Sequence, residues 1–108
     1  MDVSSRLTVV GDRPVVELAG ELDLASIAVL RDVLLRAVGE HPGAVVAIDL
    51  DGVTVLDDTA LGVLLGTAAR AREHGGDIIL VCTTKRLLDR FELSGLARAI
   101  EVRPALHS

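Results

Sequence analysis

Two short, wholly apolar runs constrain this chain more than any other feature: Ala44-Val45-Val46-Ala47-Ile48 and Ile78-Ile79-Leu80-Val81. A strand with one wet face alternates apolar and polar residues, so a run with no polar member reads as a strand buried on both faces, as in a parallel sheet. Parallel neighbours need a crossover, and the stretch between the runs supplies one. Leu61, Leu64, Leu65, Ala68, Ala69 and Arg72 recur at three- and four-residue steps from a start near Thr59, and Gly75-Gly76 stops them. Ahead of the first run, Ile27, Leu30, Val33, Leu34, Ala37 and Val38 form another helical stripe. Ser26 is its expected N-cap, and Gly39 with Pro42-Gly43 its expected end.

The two ends of the chain complete the pattern. Leu7-Thr8-Val9-Val10 and Val15-Val16-Glu17-Leu18 flank the turn-rich Gly11-Asp12-Arg13-Pro14, which predicts an N-terminal antiparallel hairpin. A short helix is expected over about Thr84 to Glu92, packing through Leu87, Leu88 and Phe91, with a last strand around Ala99 to Val102. The order β-β-α-β-α-β-α-β implies an α/β fold with a mostly parallel central sheet and right-handed crossovers. A chain of 108 residues fits a single domain over residues 1–108.

Composition closes off several functions. Phe91 is the only aromatic residue, so there is no platform on which bases or sugars stack. The formal net charge of −5 opposes binding to nucleic acid or to anionic lipid. The longest apolar runs are about five residues, against the roughly 20 needed to span a bilayer. Met1-Asp2-Val3-Ser4-Ser5 shows no basic stretch followed by an apolar one, so a cytoplasmic location is expected. Cys82 is the single cysteine and reads as a small core residue. His41, His74 and His107 lie far apart and read as solvated, so neither a metal nor a cofactor is expected.

The chemistry concentrates in Asp49 to Asp58, read as an acidic loop holding four carboxylates. Asp49-Leu50-Asp51-Gly52-Val53 after an apolar strand resembles the nucleophile motif of haloacid-dehalogenase-type phosphatases. In that family two aspartates two residues apart serve as nucleophile and general acid beside magnesium. The rest of that machinery is missing here. Only about 50 residues follow Thr59, Lys85 is the sole lysine, and no acidic pair follows a strand after it. No catalytic residue is therefore assigned and the chain is read as a non-enzyme.

A second resemblance covers roughly residues 6 to 103. Gly20-Glu21-Leu22-Asp23 leads into the first helix, and Leu56-Asp57-Asp58-Thr59-Ala60-Leu61-Gly62-Val63-Leu64 opens the second. Gly75-Gly76-Asp77-Ile78-Ile79-Leu80-Val81 and Leu93-Ser94-Gly95-Leu96 follow in order. Together these are similar to the STAS-domain anti-sigma factor antagonists of bacteria. The resemblance implies a domain that binds an anti-sigma factor of the Ser/Thr-kinase-like ATPase type and thereby releases a sigma factor. It implies a partner-binding face made of Asp23, Asp57, Asp58, Thr59, Leu61 and Gly62. An alternative within the same resemblance is a scaffold or stressosome-type subunit acting through assembly; a homodimer is also compatible.

In that family an Asp-Ser-Ser/Thr-Gly-Leu-Gly stretch opens the second helix, and its first Ser is phosphorylated by the partner. The Asp lies at Asp57 and the Leu-Gly pair at Leu61-Gly62, but the acceptor Ser falls on Asp58 and the first Gly on Ala60. Asp58 has no hydroxyl for a Ser/Thr kinase to modify. Two readings of it stay open: an N-cap of the second helix, or a permanent, partial mimic of a phosphoserine. Thr59 is a displaced acceptor at most. Gly62 and Gly66, four apart, fit either close helix packing or a flat exposed patch. Lys85, Arg86 and Arg90 read as one exposed helical face.

Overall fold

The structure, a computed structural model, describes residues 3–106. Strands β1 (Val3–Val10) and β2 (Arg13–Leu22) form the expected hairpin, turning at Gly11, whose φ of 63° suits glycine. After a single 3-10 turn at Leu24–Ser26 come α1 (Ile27–Glu40), β3 (Val45–Leu56), α2 (Asp58–Glu73) and β4 (Asp77–Val81). The chain closes with α3 (Lys85–Ser94), α4 (Leu96–Ala99) and β5 (Glu101–Arg103). The strands lie side by side in chain order, β1-β2-β3-β4-β5; the first pair is antiparallel and the other three are parallel.

Strand order explains where the core sits. Successive crossovers of one hand, all stepping in one direction, put their helices on the same side of the sheet. The main core accordingly joins Leu30 and Leu34 of α1, Leu61 and Leu64 of α2, and Leu87 and Phe91 of α3 to Val46, Ile48 and Leu50 of β3. The other face carries a small cluster, Val15, Ala47, Ile79 and Val81, against which Leu106 packs. Val46–Ile48 and Ile78–Val81 are thus covered on two sides, by layers of very different thickness, whereas Val45 at the start of β3 is 36% exposed. Among the described residues no helix is long and apolar enough to cross a membrane.

Four expectations need correction. The stretch from Asp49 to Leu56 is not an acidic loop but the second half of the twelve-residue β3. Ile48, Leu50, Val53 and Leu56 face the helices, and their alternation is broken by irregular pairing with β2 between Glu17 and Ala19 and between Gly20 and Glu21. Gly52 fits there because a Cβ would lie 2.9 Å from the Ala19 Cβ. The second correction concerns α2, which buries Ala60, Val63, Thr67 and Ala71 beside Leu61, Leu64 and Ala68, whereas Leu65 is 41% exposed and Ala69 is exposed. This helix packs on α1 as well as on the sheet, so its buried face is wider than the expected stripe and turned from it.

The third correction is Ser26, which makes no side-chain cap for α1; its hydroxyl donates to the Glu21 carbonyl at 2.8 Å instead. That helix also runs through Gly39 to Glu40. Last, α4 stands where the final strand was expected to begin, and β5 starts at Glu101. His41 is half-buried and His74 exposed; His107 lies outside the described residues.

Candidate functional site

The exit of β3 and the exit of β2 are joined first by backbone: the Asp57 N–H donates to the Leu22 carbonyl at 3.0 Å. Asp57 is the N-cap of α2, in an extended conformation that aims its carboxylate back over the helix start. One oxygen accepts from the Ala60 N–H at 3.0 Å, and the other from the Leu24 N–H at 3.1 Å, 33 residues away in sequence. Asp23 caps the 3-10 turn in the same manner, accepting from the N–H groups of Ala25 (3.1 Å) and Ser26 (3.3 Å). The two aspartates therefore fasten the loop after β2 and the start of α2 into one surface.

The hydrogen bond from Ala60 is the largest cause holding the Asp57 carboxyl below its ordinary value. Partial burial opposes it, and hydrogen bonds from Thr59 and Leu24 add to the lowering. The cap of α2 is thus Asp57, not Asp58. Asp58 is the first helical residue, and its side chain is 95% exposed. Its carboxylate meets the Arg90 guanidinium of α3 at 2.7 Å, an ion pair between residues 32 apart that no local pattern announces.

Two grooves run beside Asp58. One, of about 530 Å³, lies between the end of β3, the start of α2 and α3, with Val55, Leu61, Leu87 and Leu93 along it. The other, of about 520 Å³, separates α1 from α2 and is lined by Arg31, Leu35, Gly62 and Gly66. Asp58 borders both. A Cβ on Gly62 or Gly66 would meet nothing within 4 Å, so these glycines do not serve close packing; they leave a flat, exposed helix face. Leu61 is buried, at 6% exposure, and supports the surface from beneath. Leu24 (71% exposed), Val55 (40%) and Leu93 (89%) add apolar surface that the sequence reading missed. Leu93 carried a signal, since it falls off the Leu87–Phe91 stripe of its helix.

The expected basic face of α3 is engaged throughout. Lys85 pairs with Asp89 at 2.8 Å, Arg86 donates to the Thr54 carbonyl, and Arg90 holds Asp58. Asp49 and Asp51, the motif that resembles a phosphatase nucleophile, are both hydrogen-bonded to backbone. Asp49 accepts from the Asp51 N–H at 3.0 Å, and Asp51 accepts from both the Thr83 N–H (2.7 Å) and its hydroxyl (3.0 Å). Among the described residues no cluster of three or more His, Cys, Asp or Glu is arranged to hold a metal. Cys82 is buried, and burial pushes its thiol up, with the nearby Asp51 charge adding to the effect.

Residues 5–108 match the STAS domain family. The anti-sigma-B factor antagonist of Bacillus subtilis strain 168 is 36% identical over 87 residues, covering 81% of this chain and 78% of that protein. The chain belongs to the STAS family, among the anti-sigma factor antagonists. The anti-sigma-B factor antagonist of Listeria monocytogenes is 32% identical over 85 residues, covering 79% of this chain and 74% of its own. In fold, this STAS domain resembles a crystal structure of an anti-sigma factor antagonist from Mycobacterium paratuberculosis, with a TM-score of 0.87 at 23% identity over 98% of this chain and 89% of that one. Unphosphorylated SpoIIAA, an anti-sigma factor antagonist, superposes with a TM-score of 0.73 at 21% identity, over 92% of this chain and 87% of that one.

Proposed function

We propose that this single STAS domain binds a Ser/Thr-kinase-like ATPase anti-sigma factor in the cytoplasm and, by occupying it, frees a sigma factor. It acts by sequestration and not by catalysis. The docking face is the Asp23 loop together with the start of α2, from Asp57 to Gly62. The observation that carries this is the double anchoring of Asp57 to Leu24 and Ala60, which makes two distant segments one rigid, exposed surface. A preformed face of this kind binds with a smaller ordering cost than a loose loop.

Asp58 stands where the family's acceptor serine would be. Its pairing with Arg90 offsets the carboxylate's charge, and a carboxylate is smaller and less charged than a phosphoserine. The domain is therefore fixed in its binding-competent form, an antagonist without the usual off switch. Thr59, exposed in the first turn of α2, is a displaced acceptor at most.

Co-purification from the native cell, followed by calorimetric titration of the captured ATPase without ATP, tests both parts. The reading expects a kinase-like partner, and affinities for wild type and Asp58→Ser within a few-fold of each other. A gain of roughly 5–150-fold in Asp58→Ser, about 1–3 kcal/mol, would show instead that the carboxylate holds the protein off. Self-assembly as the sole interaction would favour the scaffold role.

A further inference from the structure

We propose that β1 is a dimerisation edge, at which two copies of this chain join their first strands antiparallel with Leu7 facing Leu7 across the twofold axis. The sheet has two edges, and they are built differently. The β5 edge is three residues long and is followed at once by Pro104, two devices that blunt a strand against pairing. The β1 edge is eight residues long and pairs with β2 in unbroken register from Val3 to Val10. It has no proline and one charge, Arg6, which is held by Glu17 at 3.2 Å. Leu7, Val9 and Val10 are 44%, 55% and 41% exposed. A long, regular, apolar edge is a template for another strand.

Pro14 fixes which backbone groups are free. It lies opposite Val9 and has no N–H, so Val9–Pro14 is a pair without ladder hydrogen bonds. Alternation along the ladder then turns the N–H and C=O groups of Val3, Ser5, Leu7 and Val9 outward.

The side chains choose a second copy and its register. A twofold axis normal to the sheet pairs odd residues with odd ones, so the outward groups of one strand meet those of the other. Centring on Arg6 would set two guanidinium groups directly opposite each other, which is repulsive. Centring on Thr8 would leave only Leu7 and Val9 cross-paired among the outward residues. Centring on Leu7 pairs Leu7 with Leu7 and Ser5 with Val9, and places each Arg6 beside a Thr8. The odd residues of β1 lie on the helix side, where a groove of about 270 Å³ between β1 and α1 is lined by Leu7, Val16, Val33 and Ala37. The other copy's Leu7 and Val9 close over it. Because β1 lies two strands from β3, this dimer leaves the α2 face free for its own partner.

Sedimentation equilibrium of the full chain over a concentration series tests the proposal, the mass rising from 11.3 kDa toward about twice that value. Leu7→Pro removes an outward N–H that β1 does not use toward β2, so the variant should keep the native circular dichroism spectrum yet stay at the monomer mass. In Leu7→Cys the axis residues form a hydrogen-bonded pair with Cα atoms about 5.5 Å apart, within disulfide reach. Oxidation should give a covalent dimer on a non-reducing gel, and Arg6→Cys should give far less. A wild type that stays monomeric at its highest soluble concentration overturns the proposal, as does a dimer that persists in folded Leu7→Pro. Should Leu7→Pro unfold, Val9→Lys decides: loss of the dimer supports the edge, and an unchanged dimer refutes it.

Discussion

Two acidic pairs lie along and just beyond β3, and the fold has put them to different uses. Asp49 and Asp51 lie along the strand, and both carboxylates accept backbone N–H groups, one of them reaching across to Thr83 at the start of the α3 connection. Asp57 and Asp58 follow the strand's end. Asp57 is still extended, with ψ at 179°, and its side chain gathers two N–H groups from separate segments. Asp58, one residue later, is helical and points into solvent against Arg90. The role of each of Asp57 and Asp58 follows from the backbone conformation at its own position. Three of these carboxylates hold the frame together, and one is displayed by it.

That contrast assumes a rigid platform beneath the second pair, and the largest predicted effect tests the platform. Leu64 is fully buried under α2, whereas Leu65 on the adjoining position is 41% exposed. Leu64→Ala should cost about 2–5 kcal/mol in urea unfolding, Leu65→Ala less than about 1 kcal/mol, and Arg70→Ala within about 0.5 kcal/mol. Similar losses at Leu64 and Leu65 would mean that the helix is rotated from the orientation described, and the display of Asp58 would go with it.

Next in size is Asp57 itself. Removing an N-cap costs about 0.5–2 kcal/mol, and here a second N–H, that of Leu24, is orphaned as well, so Asp57→Ala should fall in the upper half of that range. Asp57→Asn keeps an acceptor and should cost less. The carboxyl is held below its ordinary value in the folded state, so its contribution is present in full above the ordinary aspartate range and fades as pH falls below about 4. Wild type and Asp57→Ala should therefore differ more at pH 7 than at pH 3. A gap that does not narrow in acid would show that the anchoring does not depend on charge.

The two pairs also show what the sequence made legible. Apolar runs and helical stripes gave the element order, because burial writes itself into period two and period 3.6. The acidic half of β3 was hidden, since its alternation is interrupted by irregular pairing and its outward residues begin with Asp49, Asp51 and Gly52, all of them turn formers. At the site, the family motif marked Asp57 and Asp58 together but not which one caps the helix; that needs a one-residue boundary, the least secure feature of any helix pattern. The Asp57–Leu24 and Asp58–Arg90 contacts span 33 and 32 residues, so only the tertiary fold brings them together. Leu61 and Gly62, adjacent in the motif, face opposite ways, one into the core and one outward.

The first pair yields a smaller effect. Asp51→Ala deprives the Thr83 N–H and hydroxyl of their acceptor, in an exposed setting where water substitutes, so a loss of about 1 kcal/mol is expected. With magnesium and a small phosphomonoester, wild type and Asp49→Asn should both stay at background. Hydrolysis that vanishes in Asp49→Asn would show that this pair does chemistry and would erase its distinction as framework.

The smallest effect belongs to Asp58, and it is the sharpest test of the contrast. An exposed ion pair contributes about 0–1 kcal/mol, and a first-turn acid at a helix N-terminus about 0.3–1 kcal/mol. Both are screened by salt. Asp58→Ser should thus change stability by less than about 1 kcal/mol in dilute buffer, and by still less in 1 M salt, where the Debye length is about 3 Å. Combining it with Arg90→Ala in a double-mutant cycle separates the pair from the dipole. A coupling of a few tenths of a kcal/mol that fades with salt fits a displayed carboxylate. A salt-independent loss as large as that of Asp57→Ala would not, because screening acts on charges in water and spares those built into the frame. Asp58 would then be a second structural anchor, and the surface offered to a partner would have to be drawn without it.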